Sequence, residues 1–416
     1  MKMKRKKTNY FFKKGKVSFV IDGAAGSSGK SLISSYMVKH ADKVDFLMSA
    51  FTPNASHTVI DDEGNDFVFK IFCGGSQYHE RLKAVYIVDN AAIELKTLFK
   101  EIEYLGIPKE KVRISPRCMI VQQIDKDFEA GLCNLNGDYY STDELQDGTV
   151  KTGSTCSGSG TVLAKKVVRN KTLVVAKDVP ELQEFLYPMD EIVNRMENGE
   201  SGLMEIAQGY PLSINHHTFA PYTTSRNVTV TNAMNDAMLP PKYAGNVLIN
   251  WRTFPIKIHS YKYQALDDGR FLTWDEVQSN TTAYERIESY SGDFFSDQTE
   301  LTWEQITKDS GSEKPLMECT TLTKLPRRIA TFSKQNLLEA IKFNDTGNEI
   351  FMCLNFVNYI DSDSYRKRTM DELSTKSNIA IDTWIEKYIS NTIFGLKNVS
   401  LKFLGTGERI EDRIEL

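Results

Sequence analysis

Long apolar runs are absent from this chain. The first candidate, Val17–Ile21, ends at Asp22, too short for a secretory signal. No later stretch approaches the roughly 20 apolar residues that cross a bilayer. Cysteine is scarce too. Cys73, Cys118, Cys133, Cys156, Cys319 and Cys353 fall without paired spacing, which excludes a zinc knuckle or disulfide framework and fits a reduced, cytoplasmic compartment. Neither charge dominates: 51 Lys and Arg against 55 Asp and Glu leave a net -4, which argues against general nucleic-acid or membrane binding. The local exception is a basic arm over 1–16, carrying Lys2, Lys4, Arg5, Lys6, Lys7, Lys13, Lys14 and Lys16. A frayed, solvated terminus is preferred there over a phosphate or nucleic-acid contact. No proline-rich linker follows. The chain is 41% hydrophobic and 25% charged, an ordinary globular composition, and 17–416 is expected to form one large domain with subdomains.

What is present begins with a strand, Val17–Ile21, a glycine-rich loop, Asp22–Lys30, and a helix, Ser31–His40. That succession opens a phosphate-binding α/β domain. Val44–Met48, Phe67–Phe72 and Val85–Val88 read as further strands, and Ile93–Leu105 as an amphipathic helix. The alternation predicts an α/β fold with a large, mainly parallel central sheet. Val162–Val168 and the 180s look helical, Leu203–Ile206 and Ile350–Phe356 read as strands, and Ile379–Ile393 as a late helix. Thr273 with Glu276, and Thr302 with Gln305, each predict a capping box. Two polar stretches, Asn134–Ser159 and Tyr210–Arg226, are long enough to be functional loops.

The glycine loop, Ala24-Ala-Gly-Ser-Ser-Gly-Lys-Ser31, has a specific chemistry. Backbone N–H groups of Gly26, Ser27, Ser28 and Gly29 can cradle phosphate oxygens, aided by the positive end of the following helix. Lys30 can neutralise terminal phosphates, and Ser31 offers a hydroxyl to magnesium. A strand–helix turn with incidental glycine is the bland alternative. Taken alone, the loop suits a P-loop kinase or ATPase, or a protein that uses it differently.

Later motifs narrow the choice. Asn54-Ala-Ser-His-Thr58 resembles the Asn-Ala-Gly-His-Thr motif of adenylosuccinate synthetases. In the family's order there follow Ser154-Thr-Cys-Ser-Gly-Ser-Gly160 with Arg169, then Ala207-Gln-Gly209, Pro221-Tyr-Thr-Thr-Ser225 and Thr320-Thr-Leu-Thr-Lys-Leu-Pro-Arg-Arg328. The resemblance spans nearly the whole chain. It implies a carbon–nitrogen ligase that phosphorylates a purine O6 and lets the aspartate amine displace phosphate, with Mg2+ as cofactor. It also implies that Ser27, Lys30 and His57 are catalytic, and that Ser27, Asn54, Ser154, Thr155, Arg169, Gln208 and Thr223 bind the nucleoside monophosphate. Arg169 would reach in from a second subunit of a homodimer. Thr320, Thr321, Thr323 and Arg327 would hold L-aspartate. The triphosphate would contact Gly26, Ser27, Ser28, Gly29, Lys30, Ser31, Thr58, Asn355, Asn358, Gly405, Thr406 and Gly407, and the metal Ser27 and Ser56.

Departures from the family pattern are informative. Ser27 stands where adenylosuccinate synthetases carry an aspartate, leaving room for a 2-amino group and pointing from hypoxanthine to guanine. Leu325 replaces an arginine at the ribose 2′-hydroxyl, which suits a deoxyribose. Asn358 replaces a guanine-reading aspartate, and an amide can pair with adenine. Ser27 matches the bacteriophage branch that makes succino-2-amino-deoxyadenylate. The expected partners are therefore dGMP, L-aspartate and ATP or dATP, without membrane or nucleic acid. The rivals are a divergent adenylosuccinate synthetase using IMP and GTP, a P-loop nucleotide kinase, and a nucleotide-binding module without turnover.

Overall fold

The structure, a computed structural model, describes residues 8–141, 155–267, 270, 272–288, 291–320 and 324–416. One nine-stranded sheet organises them. Its strands are β1 (Val17–Asp22), β2 (Phe46–Ser49), β3 (Ala84–Ile87), β4 (Val112–Ile114), β5 (Gly202–Gly209), β6 (Ala244–Arg252), β7 (Ile350–Asn355), β8 (Val399–Gly405) and β9 (Arg413–Glu415). The spatial order is β9-β8-β7-β6-β1-β5-β2-β3-β4. Every pairing is parallel except β8 with β9, so the mainly parallel expectation holds.

Parallel strands covered on both faces read as continuous apolar runs, and β1 is buried at every residue. Alternate side chains then feed two cores. Val17, Phe19 and Ile21 join one, together with Leu337, Ala340 and Trp384. Val20 joins the other, with Ile33, Met37 and Val38 of helix α1 (Lys30–His40). The strand order reverses about β1: β2 to β4 lie to one side, β6 to β9 to the other, and β5 inserts between β1 and β2. In such sheets the crevice outside the carboxyl ends of the strands, where the order reverses, is the place for a ligand.

Several expectations need adjustment. β6 lies beside β1 at the sheet's centre and is buried at all nine residues, yet the sequence reading passes over it. The 180s form a 3-10 turn, Pro180–Phe185. The late helix runs Thr375–Ile385 and continues through a π turn, Glu386–Ser390. Thr273 and Glu276 close the predicted capping box. Thr302 caps Gln305 N at 3.1 Å, but the Gln305 side chain turns to Asp309, so the second box stays open. The end of the basic arm is also not frayed. Phe11 is fully buried, and its carbonyl accepts from Ser18 Oγ at 2.9 Å. Residues 1–7, and 142–154 of the first polar loop, lie outside the described residues.

Candidate active site

Three adjacent strands end in polar residues at one edge of the sheet. Asp22 of β1 is in register with Asn250 of β6, and Arg252 of β6 with Asn355 of β7. All four are buried, and buried polar groups need partners. They find them in the glycine loop. Asn250 and Asn355 each donate from Nδ2 to the Ser28 carbonyl at 2.6 Å. Arg252 Nη1 donates to the Ser27 carbonyl at 2.8 Å, and Asn336 Nδ2 to that of Gly23 at 2.8 Å. Gly26, Ser27 and Gly29 have φ of 108°, 52° and 81°. Left-handed turns of this kind, with carbonyls held from behind, form a concave anion nest ahead of α1. Serine rarely adopts such a φ, at a cost of about 1 kcal/mol, so its carbonyl anchor is structurally necessary.

Lys30, the first residue of α1, is buried with its Nζ 2.8 Å from Asp22 Oδ2 and 3.3 Å from the Gln208 carbonyl. Removing either member of such a buried pair strands a charge, which costs about 3 kcal/mol or more. The Ser31 hydroxyl, expected at the triphosphate, instead donates to Glu205 Oε1.

Glu205 is a residue that sequence reasoning missed. It is fully buried on β5, accepts from Gly74 N at 3.2 Å, and lies 3.6 Å from His57 Nδ1. Burial pushes its carboxyl above the ordinary range, while Lys30 and the Ser31 hydroxyl pull the other way. Its signal in the sequence was a lone acid inside the apolar run Leu203–Ile206, just before Ala207-Gln-Gly209. His57 opens the hairpin His57–Ile60 with Asp66–Phe69 and stacks on Phe51 at 4.5 Å. Burial first, and Lys30 second, hold its imidazole well below the usual histidine range, so the ring is neutral at pH 7. Its Nε2 is buried and has no hydrogen-bond partner. An orphaned ring nitrogen on a cleft wall fits a ligand atom.

The cleft occupies about 2250 Å³, several times an ordinary small-molecule pocket and enough for two nucleotides and an amino acid. Gly26, Ser27, Ser28, Gly29, Lys30 and Ser31 form its floor, with Ser27 exposed. Asn54, Ser56, His57 and Thr58 line one wall, and Thr155, Gln208 and Thr223 also reach it. Thr320 and Arg327 also line the cleft, and there Leu325 N donates to Thr320 Oγ1 at 3.0 Å. Burial lowers the pKa of Arg327, and the charge of Arg252 adds to the effect. Asn355, Asn358 and Gly407 complete the lining named by the sequence.

Three expected residues do not meet this cleft. Gly405 is packed behind Asn355, and the Thr406 hydroxyl is buried and donates to the Lys367 carbonyl at 2.6 Å. These two shape the loop that presents Gly407. Arg169 is exposed at the end of helix α4 (Ser159–Val167; α2, Leu95–Leu105, and α3, Gln123–Glu129, precede it), outside its own chain's cleft. Ser154, Thr321 and Thr323 lie outside the described residues. Ser27 and Ser56 both expose neutral oxygens, and among the described residues no group of three or more His, Cys, Asp or Glu could hold a metal.

Individual relatives decide the family. The N6-succino-2-amino-2'-deoxyadenylate synthase of Salmonella phage PMBT28 is 30% identical over 365 residues, 84% of this chain and 87% of that protein. This chain belongs to the adenylosuccinate synthetase family, in its N6-succino-2-amino-2'-deoxyadenylate synthase branch. The enzyme of the same name from Acinetobacter phage SH-Ab 15497 is 29% identical over 391 residues, 87% of this chain and 89% of its own. Among solved structures, the Cyanophage S-2L succinoaminodeoxyadenylate synthetase, bound to dGMP and dATP as an energy donor, gives a TM-score of 0.69. That match is 25% identical and covers 96% of this chain and 95% of the other. No family-level sequence profile matches the chain. The adenylosuccinate synthetase-like fold and the class of nucleotide-dependent carbon–nitrogen ligase both follow from these relatives.

Proposed function

We propose that this protein joins L-aspartate to C6 of dGMP at the expense of ATP or dATP. The products are N6-succino-2-amino-2'-deoxyadenylate, ADP or dADP, and phosphate. The observation that carries the reading is Ser27, exposed on the cleft floor with its backbone fixed in the left-handed region. Adenylosuccinate synthetases place a carboxylate here. A neutral hydroxyl leaves space beside the purine for the 2-amino group of guanine.

The chemistry needs two steps. First the γ-phosphoryl group moves to O6, breaking its bond to the β-phosphate oxygen, while the guanine N1 proton leaves to solvent water. Then the aspartate amine attacks C6, and the C6–O bond breaks with phosphate as leaving group. Lys30 and the glycine-loop N–H groups would stabilise charge on the moving phosphoryl group. His57, neutral and with Nε2 unpartnered, would donate to the developing O6–phosphate. Arg327 and Thr320 would bind the aspartate carboxylates, with Thr321 and Thr323. The exposed oxygens of Ser27 and Ser56 fit Mg2+, which retains water and prefers phosphate oxygens to an all-protein cage. When bound, Mg2+ neutralises phosphate charge.

Arg169, away from its own cleft, suits a homodimer in which it reaches the monophosphate of the partner's site. Among the described residues, no helix is long and apolar enough to cross a membrane. The six free cysteines suit a reducing cytoplasm.

Crossed assays of dGMP, GMP or IMP with ATP, dATP or GTP, with and without aspartate, test the reading. The expected result is aspartate-dependent turnover of dGMP with ATP or dATP. Faster turnover of IMP with GTP overturns it, and transfer without aspartate indicates a kinase. Ser27→Asp should shift kcat/KM from dGMP toward IMP or dIMP by about tenfold or more. An unchanged preference removes the steric argument.

A further inference from the structure

Arg252 plays no part in the proposed chemistry, yet it is the best-connected side chain behind the site. It closes β6 beneath the glycine loop and is fully buried. Its guanidinium makes contacts in three directions. Nε donates to the Phe254 carbonyl at 2.7 Å, which fixes the plane of the fork. Nη1 donates to the Ser27 carbonyl at 2.8 Å. Nη1 and Nη2 also meet both carboxylate oxygens of Glu318, the former at 3.3 Å. Below, the group lies over the Phe356 ring at 4.2 Å.

The Ser27, Glu318 and Phe356 contacts lead to different parts of the cleft. Ser27 is the floor residue whose left-handed backbone needs an outside anchor. Glu318 begins the aspartate loop: its carbonyl accepts from Arg327 N at 2.8 Å, and Oε1 accepts from the Tyr359 hydroxyl at 3.0 Å. Phe356 leads into the turn Val357–Tyr359, which carries Asn358. Only arginine combines a permanent charge with a planar fork able to hold a carboxylate and a carbonyl together.

We infer that Arg252 is a positioning residue that couples the glycine loop to the aspartate loop, so that the purine seat at Ser27 and the amino-acid seat at Arg327 are set by one side chain. The inference rests on the ligase reading for its kinetic consequence and on geometry alone for the coupling. Breaking the Glu318 end should loosen Ser27 as well, because the Arg252 guanidinium joins the two. Lysine at 252 retains a charge for Glu318 but cannot hold Ser27 at the same time.

Two measurements on the full-length protein test this. In steady-state kinetics, Arg252→Met and Glu318→Ala should each raise the KM for aspartate about fivefold or more and also raise the KM for dGMP. The double variant should be no worse than Arg252→Met alone, because both remove one coupling. Arg252→Lys should recover the aspartate KM but not the dGMP KM. A purely structural role would lower kcat through loss of active protein and leave both KM values in place, which would overturn the inference. Hydrogen exchange of the same variants needs no turnover. Faster exchange of the glycine-loop amides in Glu318→Ala supports the coupling, and wild-type protection there refutes it. If the wild type shows no aspartate-dependent turnover, the ligase reading fails while the exchange result still decides the coupling.

Discussion

At His57 two side-chain nitrogens have different fates. Nδ1 lies 3.6 Å from Glu205, and Nε2 is buried with no partner. The motif Asn54-Ala-Ser-His-Thr58 marked the histidine, but its protonation state depends on burial and on Lys30, a residue 27 positions earlier in numbering brought close by the sheet. Unfolded, the imidazole takes up a proton near its ordinary value of about 6.5; folded, it does so only at lower pH. Unfolding is therefore linked to proton uptake in that window. The contribution of His57 to stability is full above about pH 6.5 and is lost as pH falls toward the folded value. His57→Asn should consequently show a smaller loss of stability between pH 7 and pH 5 than the wild type, read as urea midpoints at the two pH values. It should also lower kcat by about 100-fold or more. Equal pH sensitivity in both proteins would contradict the buried, neutral state.

On the scale of elements, the first strand, the glycine loop and the first helix were all legible, because apolar run, glycines and helical spacing follow one another without interruption. β6 was not. Its sequence carries Asn246, Asn250 and Arg252, which read as breaks in an apolar run. They are tolerated inside because distant segments satisfy them: Asn246 donates to the Phe11 carbonyl at 3.1 Å, and Asn250 to Ser28. The join between β5 and the glycine loop is similarly tight. A Cβ on Gly209 would sit 1.7 Å from the Ala24 carbonyl oxygen, and both partners are main chain that cannot yield cheaply. Gly209→Ala should displace the loop, destabilise the protein by about 1–3 kcal/mol and abolish nucleotide binding. Calorimetric titration with ATP and a thermal melt would check both; unaltered ATP affinity would show that the loop accommodates the methyl group.

For the whole molecule the question is whether one chain completes its own site. Arg169 is exposed, with φ of 55°, at the end of α4 and is not among the residues that line its own cleft. If the monophosphate site of each protomer draws Arg169 from its partner, Arg169→Ala and Lys30→Ala should complement. Alone, each should be nearly inactive toward dGMP. Mixed in equal amounts and allowed to exchange subunits, half of the dimers are hybrids with one intact site, giving about a quarter of wild-type activity. Mixtures no more active than the separate variants would place Arg169 outside the site altogether.

The sequence by itself determined the fold class, the strand–glycine loop–helix opening, the order of the family motifs and the hydroxyl at Ser27, because each is written in contiguous residues whose local chemistry does not depend on distant neighbours. Only the tertiary structure decided what lies behind them. Glu205 meets Ser31 and His57, and Arg252 ties Ser27 to Glu318, across separations that no spacing rule contains. The reason is physical: a buried polar group is acceptable only where its partner arrives, and those partners come from strands and loops that adjoin in the sheet rather than in the chain.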